Sequence, residues 1–288
     1  MKCFYHNDMD GKCAGSIVAR TTGNYNSDDY IMYNYDGDIP TDLIKDNETV
    51  YFVDLSFSAN TVNKLREIVE EKHCDLIWCD HHSSSMNILA KYPEFNAIKG
   101  IRKEGISGAA LTWMYLMGCE FDDIPLFVKY VSDFDCWQFK YEESLYFKYA
   151  IESMNYDALD IIWNELVRDK RCNDTPLLKE MVRDGKVISR YVTKEYESYR
   201  DAYAYESRIE GLKCLVVNRR CDSLVFGELI KKYPVVAIWV FDGEKYKYSI
   251  YSDKSDVDCS KIAERYGGGG HKGASGFVSN KMILNKAN

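Results

Sequence analysis

The run Leu76-Ile77-Trp78-Cys79-Asp80-His81-His82 constrains this chain more than any other stretch. An apolar, β-prone segment that stops in one carboxylate and two imidazoles is what a buried strand becomes where it emerges at the ligand-bearing edge of an α/β sheet. The pattern recurs. Lys2-Cys3-Phe4-Tyr5 runs into His6, Asp8 and Asp10, and Thr49-Val50-Tyr51-Phe52-Val53 runs into Asp54. Phe127-Val128-Lys129-Tyr130-Val131-Ser132 runs into Asp133 and Asp135, and fits either a helix or a strand.

The segments between these ends supply the helices. A tight turn at Gly11 precedes a helix from Ala14, Tyr30 to Tyr35 reads as a second strand, and Ala59 to Lys72 has helical spacing at Val62, Leu65, Ile68 and Val69. Ser107 caps a helix over Gly108 to Leu116. Strand, helix, strand with acids at the strand ends predicts an α/β fold, with a parallel sheet and flanking helices in an N-terminal domain. Residues 141–210 are dominated by helical patterns, with a long helix from about 175 to 206 that contains Gly185. After Gly211 the period shortens. Cys214–Val217, Val235–Phe241 and Lys245–Tyr251 read as strands, with Asp242-Gly243 as a hairpin turn. A short helix over Asp258 to Arg265 and a last strand near Gly276-Phe277-Val278 complete a smaller mixed α/β domain. The expected organisation is a domain over 1–174, a helical linker over 175–210 and a second domain over 211–288.

Composition narrows the setting. With 288 residues, 46% hydrophobic and 28% charged, the chain has the make-up of a folded soluble protein. No apolar stretch approaches the roughly 20 residues needed to span a bilayer, and Met1-Lys2-Cys3-Phe4-Tyr5-His6 lacks a signal-peptide pattern, so a cytosolic location is expected. Ten cysteines without a Cys-x-x-Cys pair read as reduced thiols. Charge divides unevenly: residues 1–210 carry 24 Lys and Arg against 37 Asp and Glu, and residues 211–288 carry 13 against 8. An acidic first part suits cations and a basic second part suits an anionic ligand. Tyrosine is abundant at 23, enough to stack on bases or to be covered in a homodimer.

Asp8, Asp10, Asp54, His81 and Asp133, with His6 and His82 nearby, form the candidate metal set. Converging carboxylates repel one another unless cations or protons compensate them. Mixed carboxylate and imidazole ligands suit Mn²⁺, Mg²⁺ or Fe²⁺ better than a structural zinc. Two such ions could share Asp54, on a middle strand, and activate a water for attack on phosphorus. Asp133-Phe134-Asp135 gives two candidates for the last ligand. His82, beside Asp80, is the candidate that faces substrate. A second set, Gly267-Gly268-Gly269-Gly270-His271-Lys272-Gly273, offers consecutive backbone N–H groups and two side-chain donors to an anion. Arg219 and Arg220 extend it.

His6-Asn7-Asp8-Met9-Asp10-Gly11, Val53-Asp54-Leu55-Ser56, Asp80-His81-His82 and Ser132-Asp133 resemble the four ordered motifs of the DHH phosphoesterase superfamily. Gly268 to Gly276 is similar to the glycine signature of the DHH-associated C-terminal domain. The resemblance covers nearly the whole chain, and the short length and His-x-Asp-x-Asp-Gly opening are closest to NrnB-type oligoribonucleases, or nano-RNases. It implies two Mn²⁺ ions held by His6, Asp8, Asp10, Asp54, His81 and Asp133, with His82 and Asp80 at the scissile phosphate. Gly268, Gly269, Gly270, His271, Lys272, Arg219 and Arg220 would hold substrate. The expected activity is exonucleolytic release of nucleoside 5′-monophosphates from short single-stranded RNA. Alternatives are a phosphodiesterase for cyclic or linear dinucleotides, a 3′-phosphoadenosine 5′-phosphate phosphatase, and a nucleotide-binding sensor without turnover.

Overall fold

In a computed structural model, residues 1–34, 39–57, 61–167 and 175–286 are described. They divide into two compact units, Met1–Ser189 and Arg190–Asn288.

The first unit is built on a four-stranded parallel sheet: β1 (Lys2–His6), β2 (Tyr30–Tyr33), β3 (Thr49–Val53) and β4 (Asp75–Cys79), in the spatial order β2-β1-β3-β4. Both faces are covered, as a parallel sheet requires. Alternation along the strands sends Cys3, Tyr5, Tyr51, Val53, Ile77 and Cys79 to one face. There they pack on helices α1 (Met9–Thr22), α4 (Gly108–Met117) and α5 (Leu126–Asp135). Phe4, Val50, Phe52, Leu76 and Trp78 go to the other face, against α2 (Val62–Arg66) and α3 (Ser83–Lys91). Trp78, fully buried, donates its indole N–H to the Leu55 carbonyl at 2.8 Å, which ties β4 to the chain just beyond β3. Because β1 leads to β2 on one side and to β3 on the other, the carboxyl ends of β1 and β3 flank a crevice where the strand order reverses.

Several expectations shift in detail. α1 begins at Met9, five residues before the expected Ala14, because the Asp8 side chain caps it by accepting from the Gly11 N–H. Gly11 is therefore helical, and it is glycine because a Cβ there would lie 2.2 Å from the His6 carbonyl oxygen. The ambiguous run 127–133 is helix. The α2 segment continues as a π-type turn over Glu67–Glu71. Tyr35, the expected end of β2, Ala59, the expected start of the helix, and residues 168–174 at the expected domain boundary lie outside the described residues.

Helices α6 (Glu142–Glu152), α7 (Ile161–Leu166) and α8 (Pro176–Tyr203) follow, and the division between the units falls within α8. Gly185 lets α8 approach α6: a Cβ there would meet the Tyr146 carbonyl oxygen at 1.7 Å. Gly185→Ala is expected to destabilise the first unit by about 1–3 kcal/mol, because only backbone movement relieves the overlap. Urea denaturation would read this, and an unchanged midpoint would contradict it.

The second unit carries a mixed six-stranded sheet of β5 (Tyr205–Ile209), β6 (Leu212–Val217), β7 (Val235–Phe241), β8 (Tyr246–Tyr251), β9 (Gly269–Gly270) and β10 (Ala274–Ser279). Its order is β5-β6-β7-β8-β10-β9, and only β6 and β7 pair in parallel. Helix α9 (Cys259–Glu264), capped by Asp258, packs on one face. Tyr196 and Tyr199 from the end of α8 pack on the other. No helix among the described residues is long and apolar enough to cross a membrane.

Candidate metal centre

The carboxyl ends of β1, β3 and β4 bring together five of the six residues expected to hold metal, His6, Asp8, Asp10, Asp54 and His81. His6 ends β1, and its Nδ1 lies 2.7 Å from Asp8 Oδ2 and 3.8 Å from Asp54 Oδ2. Asp10, in the first turn of α1, accepts the backbone N–H groups of Gly108 and Ala109 at 2.7 and 2.9 Å. The N-terminus of α4 thereby fixes this carboxylate. Asp54 follows β3 directly. It is 1% exposed, and its φ of 54° is a left-handed conformation that few non-glycine residues adopt. Gly108 makes room for it, since a Cβ at 108 would lie 2.5 Å from Asp54 Cβ.

His81 is the hub. Its Nε2 lies 3.3 Å from Asp54 Oδ1, 3.2 Å from Asp135 Oδ2 and 4.0 Å from Asp10 Oδ2, while Nδ1 is 4.0 Å from Cys136 Sγ. His82 packs beside it with ring centroids 4.6 Å apart. The His82 Nδ1 pairs with Asp80 Oδ1 at 2.7 Å, and the Ser85 hydroxyl donates to the other Asp80 oxygen. Asp80 is fully buried, and these two partners hold its carboxylate.

Of the two candidates for the last ligand, it is Asp135 and not the expected Asp133 that lies against His81. Asp133 turns away from the cluster: its carboxylate accepts the N–H groups of Lys140 and Tyr141 at 2.8 and 3.2 Å and the Ser144 hydroxyl at 2.7 Å. A carboxylate already holding three donors anchors a loop. Asp135 takes the place in the cluster, with Oδ2 buried and without a hydrogen-bond donor. Ser85, Cys136 and the N–H groups of Gly108 and Ala109 were not anticipated. The small Ser107-Gly108-Ala109 start of α4 was the available signal for the last of these.

Electrostatics mark the same centre. Burial, reinforced by Asp10, Asp8, Asp135 and Asp80, raises the pKa of Asp54 well above the carboxylate range. Burial and Asp10 do the same to Asp135 despite the opposing effect of His81. Asp10 is raised mainly by burial. Lost hydration works against the charge of Asp8 and of Asp80, yet both are lowered by their histidine partners. Burial disfavours the charged forms of His6 and His82, but Asp8 and Asp80 outweigh it and both pKa values are raised. Neither oxygen of Asp54 accepts a hydrogen bond; the imidazole nitrogens His81 Nε2 and His6 Nδ1 face them at 3.3 and 3.8 Å. Ligand atoms of His6, Asp8 and Asp54 lie within 4.8 Å of one another, as do those of Asp54, His81 and His82, and those of His81, Asp135 and Cys136. Two overlapping cation positions sharing Asp54 fit that donor set.

These shifts have a definite sign. Above about pH 4, where free carboxylates have ionised, Asp10, Asp54 and Asp135 hold protons in the folded state that the unfolded chain has released. Above about pH 6.5 His6 and His82 do the same. Stability of the metal-free protein therefore falls as pH rises from about 5 to about 8. Across that window Asp8 and Asp80, whose contribution is lost only on acidification, stay ionised in both states. Saturating divalent metal should reverse the trend. At a hundredfold excess over Kd, one site adds about 2.7 kcal/mol, or about 5–10 °C. Thermal melts in chelator and in Mn²⁺ at both pH values would read this, and a melting temperature that rises with pH in chelator would contradict it.

The glycine run lies in the second unit and differs from expectation. The N–H groups of Gly267, Gly268 and His271 already donate to the carbonyls of Glu264, Ala263 and Ala274. Glycine is required at 268, where a Cβ would meet the Gly276 oxygen at 2.1 Å, and at 270, whose φ is 140°. The run is thus an edge hairpin of β9 on β10 with few N–H groups to spare for an anion, and Lys272 is exposed beside it. The Arg219 guanidinium lies over the rings of Tyr196 and Tyr199, 5.5 and 5.0 Å from their centroids. Arg220 is exposed.

No family model matches the chain. It is 28% identical over 243 residues to an uncharacterized protein of Acanthamoeba polyphaga mimivirus, covering 81% of this chain and 53% of that relative. The chain thus spans about half the length of the curated relative it matches. Among solved structures, it is similar to the DHH domain of a member of a ribosomal-protein family (10% identity, 96% of this chain and 82% of that one, TM-score 0.53). It is also similar to an exopolyphosphatase-related protein from Bacteroides fragilis (16%, 98% and 87%, TM-score 0.52). A third is a pGpG-specific phosphodiesterase from Vibrio cholerae (14%, 97% and 94%, TM-score 0.50). At these identities the likeness is one of fold.

Proposed function

We propose that this chain, whose fold is that of the DHH phosphoesterases, is a divalent-metal phosphodiesterase that cleaves short single-stranded RNA, dinucleotides included, and releases nucleoside 5′-monophosphates. The observation that carries this reading is Asp54, a buried carboxylate with no donor on either oxygen, set in left-handed backbone among Asp8, Asp10, Asp80 and Asp135. Such a group destabilises a fold unless cations or protons compensate it, and two uncommitted oxygens leave a carboxylate free to be shared by two cations.

His6, Asp8 and Asp54 would hold one cation, and Asp10, Asp54, His81 and Asp135 the other. Oxygen and imidazole donors suit Mn²⁺, with Mg²⁺ or Fe²⁺ as substitutes. Bound there, the ions supply Lewis acidity toward phosphoryl oxygens and a nucleophile from water at neutral pH. The protein's own part is orientation and proton transfer. Asp80, steadied by Ser85, holds the Nδ1 side of His82 and favours its protonated form. We assign that imidazolium to the scissile phosphate, where it donates to the oxygen that gains negative charge. In the second unit, Gly268, Gly269 and Gly270 set the hairpin, and His271, Lys272 and Arg220 are the side chains assigned to substrate phosphates.

A linear-dinucleotide specialist is a second reading, favoured by the likeness to the pGpG-specific enzyme. A product time course with Mn²⁺ on end-labelled di-, penta- and longer RNAs, with a cyclic dinucleotide in parallel, tests both. Monophosphate accumulating from every short RNA supports the main reading, and turnover confined to dinucleotides supports the second. A cyclic substrate cleaved fastest, or no monophosphate with metal present, would overturn both.

A further inference from the structure

Beyond Asp135 the chain leaves α5 through a loop in which aromatic rings gather in the open. Trp137 is 44% exposed and Phe139 39%, with centroids 4.8 Å apart at 74°. Phe134 braces both rings edge-on at 5.4 and 6.0 Å. Rings of this size are normally covered, and a group of them left open marks a contact surface. Their backbone points the same way. Trp137 and Phe139 have φ values of 54° and 50°, where any L side chain is strained and a bulky one seldom occurs.

The fold clamps this strained loop. The Asp133 carboxylate accepts from Lys140 and Tyr141, its carbonyl accepts from the Gln138 N–H at 2.9 Å, and the Gln138 side chain donates to the Gly105 carbonyl at 2.7 Å. Gly105 lies three residues before Gly108, whose N–H holds Asp10. At the other end of the loop, Cys136 Sγ touches His81. The rings are therefore anchored to the acidic cluster through both of its sides.

We infer that Trp137 and Phe139 form a stacking face for a nucleobase of the substrate, beside the centre that handles its phosphate; this rests on the phosphodiesterase reading above. The rings stand at 74°, so a base that stacks on the face of one meets the edge of the other, and such an aromatic corner next to a phosphate-handling centre matches a nucleotide, whose base is the one part that gains from an aromatic face. Any base stacks, so the face confers affinity without sequence preference.

The test compares the dinucleotide ApA with its two singly abasic counterparts. In the wild type, loss of the stacked base raises KM by about five- to a hundredfold. In Trp137→Ala that ratio falls toward one, and Trp137→Phe retains most of it. Trp137→Gly suits the left-handed backbone, so it should melt no lower than Trp137→Ala while losing the same ratio. A base-to-abasic ratio in Trp137→Ala equal to the wild type would overturn the inference and leave the phosphodiesterase reading standing. If the wild type cleaves no dinucleotide, that reading fails, and stacking is judged by calorimetric titration with adenosine 5′-monophosphate. Binding at least about fivefold weaker in Trp137→Ala supports the face, and equal binding, or none to either protein, overturns it.

Discussion

Asp54→Asn is expected to push activity and stability in opposite directions, lowering turnover on the order of 10³-fold while stabilising the metal-free protein by about 1–3 kcal/mol. The loss follows from removing the one carboxylate that both proposed cations share. The gain follows from what Asp54 endures without them: full burial, left-handed backbone, four acids nearby and no donor on either oxygen. Asparagine has the same shape, is among the residues that best tolerate that backbone, and carries an NH₂ that can donate to neighbouring carboxylates. Urea denaturation in chelator and steady-state rates in Mn²⁺ would measure the two effects. Wild-type-like turnover would refute the shared-ligand role, and a destabilised metal-free variant would refute the electrostatic account.

Asp135→Asn and Asp133→Asn should separate two roles that lie two residues apart. Asp135→Asn is expected to lower turnover by about 10²- to 10³-fold with metal-free stability unchanged or raised, because its buried Oδ2 has no hydrogen bond to lose. Asp133→Asn is expected to cost about 1–3 kcal/mol, because its NH₂ would replace either the oxygen that accepts from Lys140 or the one that accepts from Tyr141 and Ser144, and face a donor in both cases. Its effect on turnover should be the smaller of the two, and should appear mainly in KM through the aromatic loop that Asp133 anchors. The reverse pattern would restore Asp133 to the cluster. Melting curves and rates on the two variants, taken side by side, decide it.

That pair also shows where sequence reasoning reached its limit. Strand ends were legible because an apolar run ending in Asp or His is an unusual juxtaposition, and β1, β3 and β4 each deliver such residues to one crevice. The run before Asp133 could be strand or helix. In a strand, residues 133 and 135 share a face and cannot be told apart. In the helix that forms, Asp135 continues the row Val128, Val131 at spacings of three and four, a signal usable only once the helix is known. Asp10 was expected at the site, but its grip on the start of α4 spans 98 residues of sequence and leaves no local trace. The strand β5 was missed because its residues continue the pattern of α8. The turn signal was Glu210-Gly211, both with positive φ, which joins β5 to β6. The glycine run was read for its N–H groups, whereas packing of β9 on β10 demands glycine at 268 and 270. The exposed rings of Trp137 and Phe139 depend on a loop conformation that composition does not encode.

Every functional assignment above depends on one acid-rich crevice holding two divalent cations through Asp54 and using them to hydrolyse phosphodiesters. Counting bound Mn²⁺ by equilibrium dialysis, in the wild type and in Asp54→Asn, while following monophosphate release from a short RNA in the same samples, addresses that dependence without intermediaries. Two ions per wild-type chain with monophosphate produced, and loss of both on substitution, are the expected outcome. No bound ion in the wild type, or two ions that persist in Asp54→Asn with hydrolysis intact, would refute it.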